Sequence, residues 1–325
     1  MYFFERLTYE QFLDAVLAST EKKLGESYFV ESKQIRKNNG TVYDGIVISQ
    51  KDEEIMPNIY LSEYYDQYLA GKKMEQITDE IIAAYEDTYE ERKELGEAFE
   101  FKYPQIKKQL VFRVISCMRN VELLKEMPYI PFLDCAITFQ CIAKIDDKGL
   151  GTVRITNEHL KDWNITVSEL FQAAYENTKR IMPATIRTME EILADLLGQE
   201  IAASDEADKD DILQLILANP KENKASMYVM TNELGINGAG CLLYQEELDA
   251  FEKWAGGDFY ILPSSIHELI LVPNADDFSI SSLEEMVKDI NDTKVPVEEV
   301  LSDQVYLYSQ VKKERNQLMQ EYCLT

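Results

Sequence analysis

Apolar residues near the start of the chain recur first at helical and then at strand spacing, and each switch of period marks a new element. Thr8 and Gln11 form a capping box with Leu7 and Phe12 placed as its hydrophobic staple, which predicts a helix from Thr8 to about Leu24. Strand-forming residues fill Tyr28 to Ile35 and Val42 to Ile48 around Lys37-Asn38-Asn39-Gly40. Asn-Gly there is a strong hairpin signal. Ile55 to Leu61 reads as a third strand of that sheet. From Ser62 the period lengthens again: Tyr64 and Tyr68, then Met74, Ile77, Ile81 and Tyr85, form the stripes of two helices.

Pro104 interrupts this pattern and disfavours helix in the residue before it, so it marks a boundary between residues 1–103 and 104–325. In the second lobe Leu110 to Ile115 reads as a strand. Cys135 to Ile145 is the clearest strand of the chain, with Cys135, Ile137, Phe139, Cys141, Ala143 and Ile145 on one face that must be buried. Asp146 to Gly149 turns the chain into a return strand, Gly151 to Ile155. Thr166 with Glu169, and Ile165 with Leu170, repeat the capping box and staple and open a helix that ends before Pro183. Met227 to Thr231 and Cys241 to Tyr244 read as strands joined through the glycines between them. Helices are expected over Glu246 to Trp254, Leu283 to Ile290 and Ser302 to Leu318, with strands at Phe259 to Leu262 and Leu269 to Val272. Hairpins instead of regular strand-helix-strand alternation point to an α+β fold of two lobes, with antiparallel or mixed sheets and packed helices.

Charge narrows the partners. With 59 acidic and 33 basic side chains in 325 residues the net charge is −26, a field that repels nucleic acid and anionic lipid. Negative charge is dense between Gly198 and Asp211, which reads as a solvated acidic loop. The Met1 to Leu7 start lacks the long apolar core of a secretory signal, and no apolar run is long enough to span a bilayer. Five scattered cysteines fit reduced thiols, and a cytoplasmic location is expected.

Several phrases in order, Pro57-Asn58-Ile59-Tyr60-Leu61 with Tyr64-Tyr65, Pro131 to Ile137, Ile155 to Leu160 with Trp163, Met227 to Asn232 and Leu262 to Glu268, resemble a domain-of-unknown-function family common in anaerobic Gram-positive gut bacteria. The resemblance spans most of the chain and implies no activity, cofactor or catalytic residue. Leu133 to Ile145 and Ile155 to Trp163 also resemble a second uncharacterised bacterial family.

The densest chemistry lies in Pro263-Ser264-Ser265-Ile266-His267-Glu268, where hydroxyls, an imidazole and a carboxylate crowd together. In a strand Ser265 and His267 share a face, as a nucleophile and its base require. Gly-x-Ser-x-Gly is absent, and proline with two serines equally suits a turn whose side chains satisfy the backbone. Cys241 could meet His267 across a sheet. His267-Glu268 begins the zinc signature His-Glu-x-x-His, but Leu271 stands at its second histidine; with His159 and His267 alone, no metal and no cofactor are expected. Cys135 and Cys141 belong to the core. The 19 tyrosines include the cluster Tyr60, Tyr64, Tyr65 and Tyr68, readable as a binding surface or as a core stripe with polar tips. Two functions follow: a non-catalytic binding or adaptor protein that recognises a protein or small ligand through its tyrosines, and a hydrolase or transferase on Ser264 or Ser265, His267 and Glu268. A homodimer through strand edges or the final helix is a third expectation.

Overall fold

The structure, a computed structural model, describes residues 6–50, 56–89, 101–146, 149–195, 227–263, 265–273 and 278–322. Ser264, Cys323 and the acidic run from residue 198 to 211 lie outside them. The chain divides into two compact units, Met1–Ile106 and Lys107–Thr325.

In the first unit a three-stranded antiparallel sheet of β1 (Tyr28–Arg36), β2 (Val42–Gln50) and β3 (Asn58–Tyr60) packs on α1 (Tyr9–Leu24), α2 (Ser62–Leu69) and α3 (Met74–Asp87). The cap at Thr8 forms as the sequence predicts: Gln11 N donates to Thr8 Oγ1 at 3.3 Å and Thr8 N to Gln11 Oε1 at 3.0 Å, a pairing worth about 1 kcal/mol. Asn39 and Gly40 take φ of 55° and 73°, left-handed backbone that closes the hairpin and that Asn and Gly tolerate best. Phe12 and Val16 of α1, Ile46 and Ile48 of β2, and Ile77 and Ile81 of α3 are completely enclosed between the layers.

The second unit is built on β6 (Cys135–Asp146), which pairs along one edge with β4 (Leu110–Ser116) and along the other with β5 (Tyr129–Phe132) and then β7 (Gly149–Arg154). Alternation predicts one buried face for β6, but both are covered. Cys135, Ile137, Phe139 and Cys141 are enclosed, and so are Ala136, Thr138 and Gln140. The first face takes Phe171 of α5 (Val167–Ile181), whose ring lies 6.3 Å from both Phe112 and Phe139. The second is covered at one end by Leu123, Leu124 and Met127 and at the other by Met182. A register shift between Ile142 and Lys144 then breaks the alternation, so Ile145 is 49% exposed instead of buried. The helix α4 (Asn157–Trp163) leads into α5, which starts at the Thr166–Glu169 capping box and seals the outer edge of β4 through Phe112 N donating to Thr178 Oγ1 at 2.9 Å.

A second antiparallel sheet runs in the order β12 (Tyr306–Leu307), β10 (Phe259–Leu262), β11 (Leu269–Pro273), β9 (Tyr228–Asn232), β8 (Ala184–Thr188). One face buries Tyr260, Leu262 and Val272 against Leu283 and Val287 of α7 (Ile280–Thr293). On the other, Phe259 stacks between Phe251 of α6 (Gln245–Ala255) and Tyr308 of α8 (Tyr308–Glu321), with ring centroids 4.8 Å from each. Helix α8 therefore starts six residues later than its apolar spacing predicts, because Tyr306 and Leu307 complete the sheet. Cys241 to Tyr244 is not a strand either. Gly238–Leu243 forms a buried 3₁₀ turn after Asn237 enters left-handed conformation at φ 56°. It lies between the sheets: Cβ atoms added at Gly238 and Gly240 would meet Thr231 of β9 and Phe112 of β4 respectively. Among the described residues, no helix is long and apolar enough to cross a membrane.

Helices α6 and α8 are joined through Asp249, which accepts from Lys312 Nζ and Tyr308 OH, each at 2.7 Å. Burial works to raise this carboxyl, but hydrogen bonds from Lys312, Tyr308 and Gln245 outweigh it and hold it down to about 2. The depressed value stabilises the fold above the unfolded pKa of about 3.9, and that stability is lost as pH falls toward 2. Asp249→Asn is expected to cost about 1 kcal/mol at pH 7 after solvent screening. In urea unfolding the gap to wild type should close near pH 2; a gap independent of pH contradicts this role.

Candidate functional site

The segment richest in chemistry by sequence lies between β10 and β11; Ser265 makes an isolated antiparallel bridge to Val300, and the chain bends at Ile266 and His267. Ser265 is 7% exposed, and its Oγ accepts from the backbone N–H of His267 at 3.0 Å, a local side-chain-to-backbone bond typical of serine. The His267 ring accepts at Nδ1 from Asn237 N at 3.2 Å, which places its proton on Nε2, 3.7 Å from Glu299 Oε1. Its carbonyl accepts from Thr231 Oγ1 at 2.7 Å. Glu268 is exposed. The hydroxyl thus serves the backbone of His267 and the imidazole holds the entrance of the 3₁₀ turn. Cys241 donates to Thr231 O at 3.4 Å, and burial first, with Glu247, pushes its thiol up to about 12. Cys141 is likewise raised to about 12 by burial. His159 accepts from Thr156 N at 3.0 Å as the N3 member of a capping box and stacks on Trp163 at 5.4 Å.

The four tyrosines of the first unit are divided. Tyr65 and Tyr68 lie 5.2 and 5.5 Å from the Phe12 ring; Tyr65 OH donates to Leu7 O and Leu7 N donates to Tyr68 OH, each at 3.2 Å. Both rings are therefore packed inward with their polar tips spent on the backbone of Leu7, just before α1. Tyr64 packs on the same core, and burial raises its phenol. Tyr60 stands apart, 5.3 Å from Tyr43 with Lys37 Nζ 4.7 Å over its ring.

Sequence alternation assigns the polar residues of β6 to solvent and so passes over the site that the fold builds there. Arg113 of β4 stands opposite Thr138, and Arg154 of β7 stands opposite Gln140. Paired residues share a face, so all four project from one side of the sheet. Thr138 is fully enclosed and Gln140 is 8% exposed. Arg113 Nε, Thr138 Oγ1 and Gln140 Oε1 are sealed from solvent with no hydrogen-bond partner. Burial, and then the charge of Arg154, push the Arg113 guanidinium down to about 10, which leaves it charged at neutral pH. At the β5 margin this face is open: Tyr129, paired with Thr138, is 39% exposed. The one sequence signal was an arginine inside the apolar run Leu110 to Ile115, where a charge needs a reason. Unpartnered nitrogens also occur on Arg315, but its guanidinium is fully enclosed and leans on Tyr308, 5.6 Å from the ring, with no open side.

Among the described residues, three antiparallel sheets with helices packed on them define an α+β protein. The chain belongs to the family of unknown function DUF5688, which matches residues 9–310. No curated protein and no solved structure matches it.

Proposed function

We propose that this is a non-catalytic binding protein whose ligand is a small molecule seated on the Arg113 and Arg154 face of the central sheet. The observation that carries this reading is the group of three unpartnered polar atoms on Arg113, Thr138 and Gln140. Each such atom costs about 1–3 kcal/mol when buried. A sheet that keeps three together sacrifices stability at the place where a ligand would satisfy them. A tyrosine surface is the weaker support, because Tyr65 and Tyr68 use their hydroxyls internally.

Thr138→Val and Gln140→Leu test this directly by urea unfolding of the free protein. Each is expected to match or exceed wild type, by up to about 1 kcal/mol, because each removes an unpaired polar group. Destabilisation beyond about 1 kcal/mol by both would mean that the fold itself satisfies these atoms, and the reading fails. The rival hydrolase or transferase centred on Ser265, His267 and Glu268 is tested with a fluorophosphonate probe. Serine labelling that disappears in His267→Ala would establish it; labelling unaffected by that substitution supports a bracing role.

A further inference from the structure

We infer that β1 is a docking edge for a second copy of this chain, pairing with itself antiparallel about Ser32 and joining two three-stranded sheets into one of six strands. In the order β1-β2-β3, β2 satisfies one side of β1, and among the described residues no element pairs with the other. That free side is long and regular. Its nine residues, Tyr28–Arg36, run in unbroken register with β2, without proline or bulge. Glu31, Ser32, Lys33 and Gln34 are all exposed, and Phe29 is 64% exposed. Edges left open in this way recruit another strand through their unpaired N–H and C=O groups, which is why most are short, bulged or interrupted by proline.

The side chains select the occupant. Outward N–H and C=O groups come from alternate residues, so two copies of one edge pair only in registers that set odd residues against odd and even against even. Centring the pair on Ser32 engages all nine residues. Phe29, Glu31, Lys33 and Ile35 share the face of the sheet turned away from the core that holds Phe12 and Ile46. In that register Glu31 of each copy faces Lys33 of the other and Phe29 faces Ile35, so two ion pairs lie between two apolar pairs. The nearest allowed alternatives, centred on Glu31 or on Lys33, set glutamate against glutamate or lysine against lysine, which is destabilising. Within the chain Glu31 stands opposite Val47 and Lys33 opposite Gly45, so neither charge has an ionic partner across β2. A two-fold axis through Ser32 closes the contact on itself and yields a dimer, not a filament.

Sedimentation velocity of the full chain from roughly 1 to 300 μM, the range suited to a small interface, tests the pairing. A monomer–dimer equilibrium that shifts with concentration is expected. Glu31→Lys alone and Lys33→Glu alone each place like charges opposite one another at both ion pairs and should weaken the dimer about tenfold. The two substitutions together re-create opposite charges and should restore it. Phe29→Ala should weaken it several-fold. All three positions are exposed, so circular dichroism of each variant should match wild type. A wild-type chain that stays monomeric throughout overturns the pairing. So does a dimer that neither single reversal weakens, which must lie on another surface, and so do single losses that the double variant does not recover, which exclude this register.

Discussion

Gly238→Ala is expected to destabilise the protein by more than about 3 kcal/mol. An added Cβ would stand 2.2 Å from His267 O and 2.2 Å from Thr231 Oγ1, and 3.0 Å from the Thr231 Cα. Those two oxygens are joined to each other by a 2.7 Å hydrogen bond, so neither can retreat without breaking it. The collision is with backbone and with a short side chain between two sheets, where no flexible end is free to yield. Gly240→Ala provides the comparison. Its Cβ would lie 3.2 Å from Phe112 Cε2, an aromatic edge that can tilt by a few tenths of an ångström. A loss of about 1 kcal/mol is expected there. Urea unfolding of both variants separates the cases, and a Gly238→Ala protein within about 1 kcal/mol of wild type would contradict the close approach.

The second large effect is expected at Asp134. Its carboxylate accepts from Tyr306 OH and, at 2.6 Å, from Ser302 Oγ. Tyr306 and Ser302 are 6% and 3% exposed, so truncation strands two buried hydroxyls. Asp134→Ala should cost about 3 kcal/mol. Burial first, then Cys135 and Asp134, holds the Tyr306 phenol far above its usual range, so it remains a donor at any ordinary alkaline pH. Tyr306→Phe alone is expected to cost about 1 kcal/mol and to cost much less in the Asp134→Ala background. Additive losses in that double-mutant cycle would show that the two groups are not coupled.

Much of the fold was legible because its signals are local. The boxes at Thr8 and Thr166 and the left-handed pair Asn39-Gly40 each depend on residues within a few positions of one another, and each formed as read. The errors share a different cause. An apolar run of four at Cys241 to Tyr244 suits a strand or a buried turn equally, and only the close fit of Gly238 and Gly240 between two sheets decides for the turn. Thr138 and Gln140 looked solvent-facing because alternation fixes which residues share a face but not what covers that face. On that face Leu123 and Met127 pack with Ala136, and Met182 packs with Ile142, contacts that alternation cannot foresee. The serine and histidine at Ser265 and His267 stood out by composition. What they do depends on Asn237 and Thr231, which no local pattern attaches to them.

The Asp134 clasp also bears on how the chain acquires its shape during synthesis. Leu133 adopts φ 55° in the two-residue connection from β5 to β6, a conformation that costs a branched side chain about 1 kcal/mol. Asp134, next in line, finds its partners only at residues 302 and 306. A ribosome adding about 5–20 residues each second would expose the Leu133 corner for about ten seconds or more before those partners emerge. The Asp134 clasp on the central hairpin can therefore close only after about 170 further residues have been added.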